Sequence, residues 1–244
     1  MRGERVAALT AYDYPTARLL DEAGVPLILV GDSVGMVVLG YPDTTQVTLA
    51  EMRHHIAAVA RAKTRALVVG DLPYHTYQTA QNAVANAHLL IEAGAEAVKL
   101  EGGIAVVPEI RAMREAGIAV MGHVGMLPQH VKEEGGYKIK GRSDTEKERL
   151  LADALAVEEA GAFALVMELV EPELAKEITA KLSIPTIGIG SGAHCYGQIL
   201  VTHDLVGAFP WFRPKFAVAT ADVASAIRGA AEGYVREVTG RREA

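Results

Sequence analysis

Cysteine is nearly absent from this chain: Cys195 stands alone among 244 residues. No intrachain disulfide can therefore brace the fold, and the usage suits a reducing compartment such as the cytoplasm. Long apolar runs are missing too. No stretch nears the roughly 18 uninterrupted apolar residues of a membrane span. Basic charge is not in excess, since 24 Lys and Arg face 30 Asp and Glu for a formal charge of −6. The electrostatic footprint of a nucleic-acid binder is thus absent. The opening residues, Met-Arg-Gly-Glu-Arg, are not a charged leader followed by an apolar signal core. Low-complexity tracts and composition shifts are also lacking, so residues 1–244 read as a single domain.

What is present is apolar bulk in a regular order. Half of the residues are apolar, enough for one sizeable core. Eight short runs rich in Val, Ile and Leu recur: VAALTAYD at 6–13, PLILVGDS at 26–33, ALVVGDLP at 66–73, AVKLEGG at 97–103, AVMGHVG at 119–125, ALVMELV at 164–170, PTIGIGSG at 185–192 and QILVTHD at 198–204. They are nearly continuous rather than alternating, as in parallel strands buried on both faces. Helical windows separate most of them, at 14–23, 48–63, 79–93, 107–116, 145–160 and 171–181. Thr48 and Glu51 have capping-box spacing, and Pro172 suits a first helical turn. Gly24, Gly94, Gly117 and Gly161 sit where left-handed caps would end helices. The seventh and eighth runs are too close for a full helix, so a short helical turn is expected between them. A long helix at 220–238 would close the ring. Alternation of this kind predicts an α/β fold, a (β/α)8 TIM barrel.

Polar residues fall at the ends of the runs, on the face where barrel enzymes do chemistry. Tyr12 and Asp13 end the first, Asp32 and Ser33 the second, and Asp71 lies late in the third. Lys99 and Glu101 lie on the fourth, His123 on the fifth, Glu168 on the sixth, and His203 and Asp204 on the eighth. Carboxylates gathered in one place repel one another unless a cation or protons intervene. Asp32, Asp71 and Glu101 come from neighbouring strands, and three carboxylates suit a hard divalent ion such as Mg2+. Each alone could instead cap the next helix. Lys99 shares a strand face with Glu101. It could be an ion-pair partner, a positive group facing developing negative charge, or a Schiff-base amine. Glu168, across the barrel from the proposed ion, could keep a pKa suited to a general base. His123 could hydrogen-bond a substrate oxygen. The glycine-rich GIGSG at 188–192 occupies a position where barrels often bind phosphate. Cys195 has no visible paired base and reads as a packing residue. The loops at 36–48 and 126–144 exceed ordinary βα connections, and the one at 126–144 has the character of a flexible lid.

These residues lie in longer stretches that together resemble the ketopantoate hydroxymethyltransferase family. The resemblance covers about residues 5 to 236. It is carried by TAYDYPTARLLDEAG at 10–24, VGDSVGMVVLGY at 30–41, GDLPYHTYQ at 70–78, AVKLEGG at 97–103, GHVGMLPQ at 122–129, GGYKIKGR at 135–142, MELVEPELA at 167–175, IPTIGIGSG at 184–192 and HDLVG at 203–207. It implies a barrel of the phosphoenolpyruvate/pyruvate type. The implied reaction is transfer of a hydroxymethyl group from 5,10-methylenetetrahydrofolate to 3-methyl-2-oxobutanoate, in pantothenate synthesis. It further implies Asp32, Asp71 and Glu101 as Mg2+ ligands, Ser33 and Lys99 as contacts to the oxo acid, Glu168 as the base at C3, and His123 near the substrate. A homo-oligomer, often a decamer, is implied as well. Ser191, Tyr196 and Gln46 depart from the commoner family residues, Ala, Asp and Pro; none is a proposed metal ligand or base.

Two alternatives share the pocket. One is another Mg2+-dependent 2-oxo-acid C–C lyase of the same barrel superfamily. Such lyases commonly carry a reactive cysteine in a Lys-Lys-Cys-Gly-His-like loop, which this sequence lacks. The other is a non-catalytic barrel that binds an oxo acid, in which the base would be expected to be lost.

Overall fold

Runs that can be buried on both faces become eight parallel strands in the computed structural model, which describes residues 5–240. They are β1 (Val6–Thr10), β2 (Leu27–Val30), β3 (Leu67–Asp71), β4 (Ala97–Lys99), β5 (Val120–Gly125), β6 (Ala164–Glu168), β7 (Thr186–Ile189) and β8 (Gly197–Leu200). Each pairs with its neighbour in sequence, and the ring closes in the order β1 to β8. The expected barrel is what forms.

Helices follow the strands: α1 (Tyr14–Glu22), the short α2 (Val34–Val37), α3 (Leu49–Ala60), α4 (Ala80–Glu92), α5 (Val107–Glu115), α6 (Asp144–Glu159) and α7 (Pro172–Lys181). Their start signals work as the sequence suggests. Thr48 and Glu51 form a reciprocal capping box at α3, and Pro172 opens α7. Gly24, Gly94, Gly117 and Gly161 each have positive φ just past a helix. Asp13 caps α1 by accepting from Thr16 N at 2.8 Å, which gives it a structural task.

Two expectations are corrected. No helical turn forms between β7 and β8; residues 190–196 make bends, with Gly190 and Gly192 at positive φ. The eighth strand stops at Leu200, so His203 and Asp204 lie in the short helix α8 (Thr202–Leu205) rather than on a strand.

The described residues divide into two compact units, one up to Ile199 and one from Leu200. The second holds α8 and the long last helix, α9 (Val223–Thr239), which Asp222 caps through Ser225 N. Within the first, apolar side chains form two layers. One lies between sheet and helices, and includes Ile28, Val68, Val98, Ile56 and Leu90. The other fills the barrel with Leu29, Val69, Ala97, Met121, Val166 and Ile187. Side chains along a strand alternate between these layers. Two residues beyond Val69, Ala97, Met121 and Val166 come Asp71, Lys99, His123 and Glu168. The apolar plug therefore carries a polar layer directly above it. Among the described residues, no helix is long and apolar enough to cross a membrane.

Candidate active site

The polar layer is buried. Asp71 and Glu101 are each 1% exposed, Lys99 4% and His123 2%. Ions in such surroundings need partners, because desolvation costs several kcal/mol per charge, as an order of magnitude. Lys99 supplies the main one: its Nζ donates to both Asp71 oxygens at 2.8 Å and stands 3.7 Å from Glu101 Oε1. The register Asp71↔Lys99 between β3 and β4 sets this pair side by side. Burial works against the ammonium, but Asp71, Glu101 and Asp32 outweigh it and hold its pKa above the usual lysine value. Its place between Asp71 and Glu101 fits the ion-pair reading of this lysine.

Asp32 and Glu101 sit just past their strands and are joined by a residue of the loop after β5. The side-chain Nε2 of Gln129 donates to Asp32 Oδ2 at 2.9 Å, and its main-chain N donates to Glu101 Oε2 at 3.1 Å. Asp32 N also donates to Asp71 Oδ2 at 3.3 Å. The three carboxylates expected at one cation thus share one buried region, but they are linked through Lys99 and Gln129 rather than arranged face to face. Among the described residues, no three His, Cys, Asp or Glu side chains stand as a ready-made ligand cage. Asp71 spends both oxygens on Lys99.

The electrostatics nevertheless fit a cation. Burial, followed by the charge of Asp71, pushes Asp32 up to about 7. Burial also raises Asp71, against the pull of Lys99, and takes Glu101 well above the usual carboxylate range. The cluster is short of positive charge. Glu101 Oε1 is buried with no hydrogen-bond partner, and the donors are hard oxygens of the kind that suit Mg2+.

Glu168 ends β6, opposite β2 in the ring. Its Oε2 lies 3.6 Å from His123 Nε2, too far for a hydrogen bond. Burial, opposed by Lys99, raises its carboxyl to about 8. The backbone around it is tightly constrained. At Gly125, paired with Glu168, φ is +100°, and a Cβ would meet Glu168 O at 2.2 Å. Only glycine lets β5 and β6 close there. Leu169 adopts φ +49°, an uncommon state for a branched side chain, pinned by its N–H to Ile189 O at 2.9 Å and by Lys140 N to its carbonyl at 2.8 Å.

His123 lies between the two sides, its Nδ1 3.5 Å from Glu101 Oε1. Burial and then Lys99 drive its pKa well below the usual value, so the ring is neutral. Both ring nitrogens are buried without a hydrogen-bond partner. A neutral imidazole offers one donor and one acceptor, both available to a ligand. Ser33 Oγ is 2.8 Å from Tyr12 Oη, at the edge beside Asp32.

Other expected features have structural work. Ser191 of the glycine-rich turn donates to Met167 O at 2.7 Å and accepts from Val170 N at 2.9 Å, securing the end of β6. Cys195 is buried, and burial raises its thiol pKa. The two long loops are tied together where Lys132 Nζ meets Asp43 at 3.0 Å and Thr45 Oγ1 at 3.0 Å.

Sequence reasoning overlooked Gln129 and Tyr77. Tyr77 Oη donates to Gln129 Oε1, and both residues are buried. A polar Gln directly after Pro128 in the apolar stretch GHVGMLPQ was the available signal.

Comparison with known proteins adds chemistry to this geometry. The family model described as ketopantoate hydroxymethyltransferase matches residues 1–242. A 3-methyl-2-oxobutanoate hydroxymethyltransferase of Moorella thermoacetica is 57% identical over 239 residues, covering 97% of this chain and 89% of that protein. One from Caldivirga maquilingensis is 56% identical, covering 96% and 88%. Among solved structures, phosphoenolpyruvate phosphomutase from Streptomyces platensis subsp. rosaceus has the same fold, with a TM-score of 0.67 at 16% identity, covering 99% of this chain and 85% of that one.

Proposed function

Since the chain belongs to the ketopantoate hydroxymethyltransferase family, we propose that it adds a hydroxymethyl group to 3-methyl-2-oxobutanoate, with 5,10-methylenetetrahydrofolate as donor and Mg2+ as cofactor. The product is 2-dehydropantoate, a precursor in pantothenate synthesis. The observation that carries the assignment of roles is the segregation of Glu168, which ends β6 opposite β2 while Lys99 and Gln129 hold the other three carboxylates.

Asp32, Asp71 and Glu101 are the residues that would hold Mg2+. When bound, the ion supplies Lewis-acid stabilisation of negative charge on the oxo acid. Glu168 takes the proton from C3, because a raised carboxyl pKa makes its carboxylate a competent base near neutral pH. Electron density moves from C3 toward the ketone oxygen as that proton leaves. Lys99 and Ser33 face the oxo acid. The Lys99 ammonium answers the growing negative charge from a site that excludes water. His123 offers its unpartnered N–H to a substrate oxygen. C3 then attacks the one-carbon unit carried by the folate, water supplies the hydroxyl oxygen, and tetrahydrofolate departs. The protein works in the cytoplasm as a homo-oligomer.

The test is exchange at C3. Purified protein with Mg2+ should replace the C3 proton of 3-methyl-2-oxobutanoate with deuterium from solvent without folate, as followed by proton NMR, and a chelator should stop it. Cleavage of the oxo acid instead would favour a lyase. Binding without exchange would leave a non-catalytic barrel.

A further inference from the structure

Gln129 has no part in the chemistry above, yet it touches two of the three proposed Mg2+ ligands. It is 1% exposed, on the 3-10 turn Pro128–His130 after β5. Its side-chain Nε2 meets two acceptors, Asp32 Oδ2 and Leu72 O, each at 2.9 Å. On the other side of the amide, Oε1 accepts from the Tyr77 hydroxyl. Its main-chain N–H holds Glu101 Oε2 at 3.1 Å.

We propose that Gln129 is a positioning residue for the cation-binding carboxylates, and that the Tyr77 hydroxyl fixes the direction of its amide. A primary amide carries two donors on nitrogen and only acceptors on oxygen. In the observed direction every polar atom is matched. Reversed, Oε1 would face a carboxylate and a carbonyl, two repulsive contacts in a dry environment. Tyr77 secures the observed direction by supplying the donor that Oε1 needs. One residue thereby spaces the carboxylates beyond β2 and β4, while Lys99 holds the one on β3. The spacing also selects atoms. Gln129 occupies Glu101 Oε2 and leaves Oε1, buried without a hydrogen bond and 3.7 Å from Lys99 Nζ, to meet a cation.

This inference rests on the Mg2+ reading, and the experiment separates the two. Mg2+ affinity is measured by titration calorimetry on the full chain without oxo acid, for wild type, Tyr77→Phe, Gln129→Ala, the double variant and Asp71→Ala. Tyr77→Phe should weaken binding about tenfold, equivalent to ~1.4 kcal/mol. Gln129→Ala should weaken it at least as much. The double variant should match Gln129→Ala, because Tyr77 acts through Gln129. C3 exchange by Tyr77→Phe should recover at saturating Mg2+, a rescue that general structural damage would not allow. An unchanged affinity in Tyr77→Phe, or losses that add in the double variant, overturns the proposal. If Gln129→Ala does not fold, Tyr77→Phe decides through its Mg2+ affinity and rescue. Wild-type affinity in Asp71→Ala would defeat the Mg2+ reading itself. Loss in Asp71→Ala with none in Tyr77→Phe would defeat only the positioning role.

Discussion

Two sides of the barrel mouth carry buried carboxylates, and they differ in company. On the β2–β4 side, Asp32, Asp71 and Glu101 are hydrogen-bonded to Lys99, Gln129 and main-chain N–H groups. On the β6 side, Glu168 faces the neutral ring of His123 at 3.6 Å. The same functional group is suited to different work by its neighbours. Oxygens fixed by donors cannot follow a moving proton, but they can define a site for a cation. A carboxylate with no such donors fixing its oxygens is free to pick up a proton and release it.

Interchanging or removing these neighbours should break the contrast. The largest effect is expected at Glu168. Glu168→Gln keeps the shape and removes the base, so C3 exchange should fall by about 10²- to 10⁴-fold. Mg2+ affinity, set on the other side, should stay near wild type by calorimetry. Undiminished exchange in this variant would remove Glu168 from its role. Lys99→Met comes next. It leaves Asp71 buried without its cation, and breaking one half of a buried pair costs about 3–5 kcal/mol. Melting temperature should drop by about 10 °C without Mg2+, taking roughly 2–4 °C per kcal/mol for a chain of this size. Saturating Mg2+ should restore part of the loss, because a second cation then serves Asp71. A variant as stable as wild type in chelator would show that the β2–β4 side does not depend on that charge.

Much of this contrast was legible in the sequence, for a physical reason. Strand periodicity of two places Asp71 above Val69, Lys99 above Ala97 and Glu168 above Val166, so a strand window already orients the side chains. Capping chemistry at Thr48 and Pro172 is equally local. What escaped was set by tertiary contact. Gln129 lies in a loop, and its partners Asp32, Leu72 and Tyr77 are distant in sequence. Lys99 was visible as a charge, but its choice of Asp71 over Glu101 depends on cross-strand register. His203 and Asp204 were misplaced because an apolar run followed by polar residues has the same pattern whether a strand continues or a short helix begins.

The smallest effect should be a pH dependence that couples the two sides. Asp32 rises from 3.8 to about 7 and Glu168 from 4.5 to about 8 on folding. The folded chain therefore binds more protons than the unfolded chain between these limits. Stability from these two groups is complete below about pH 4 and is lost as pH rises through about 8. Mg2+ opposes that loss at Asp32, where it replaces protons as the compensating charge, and it favours the folded chain by mass action. The rise in melting temperature on adding Mg2+ should thus be larger at about pH 8.5 than at about pH 5, when measured by calorimetric scans. In Glu168→Gln, the fall in stability without Mg2+ should be shallower, leaving the part due to Asp32, Asp71 and Glu101. An equal Mg2+ effect at both pH values would mean that the β2–β4 carboxylates are already ionised without the metal, and the division of labour across the mouth would need a different cause.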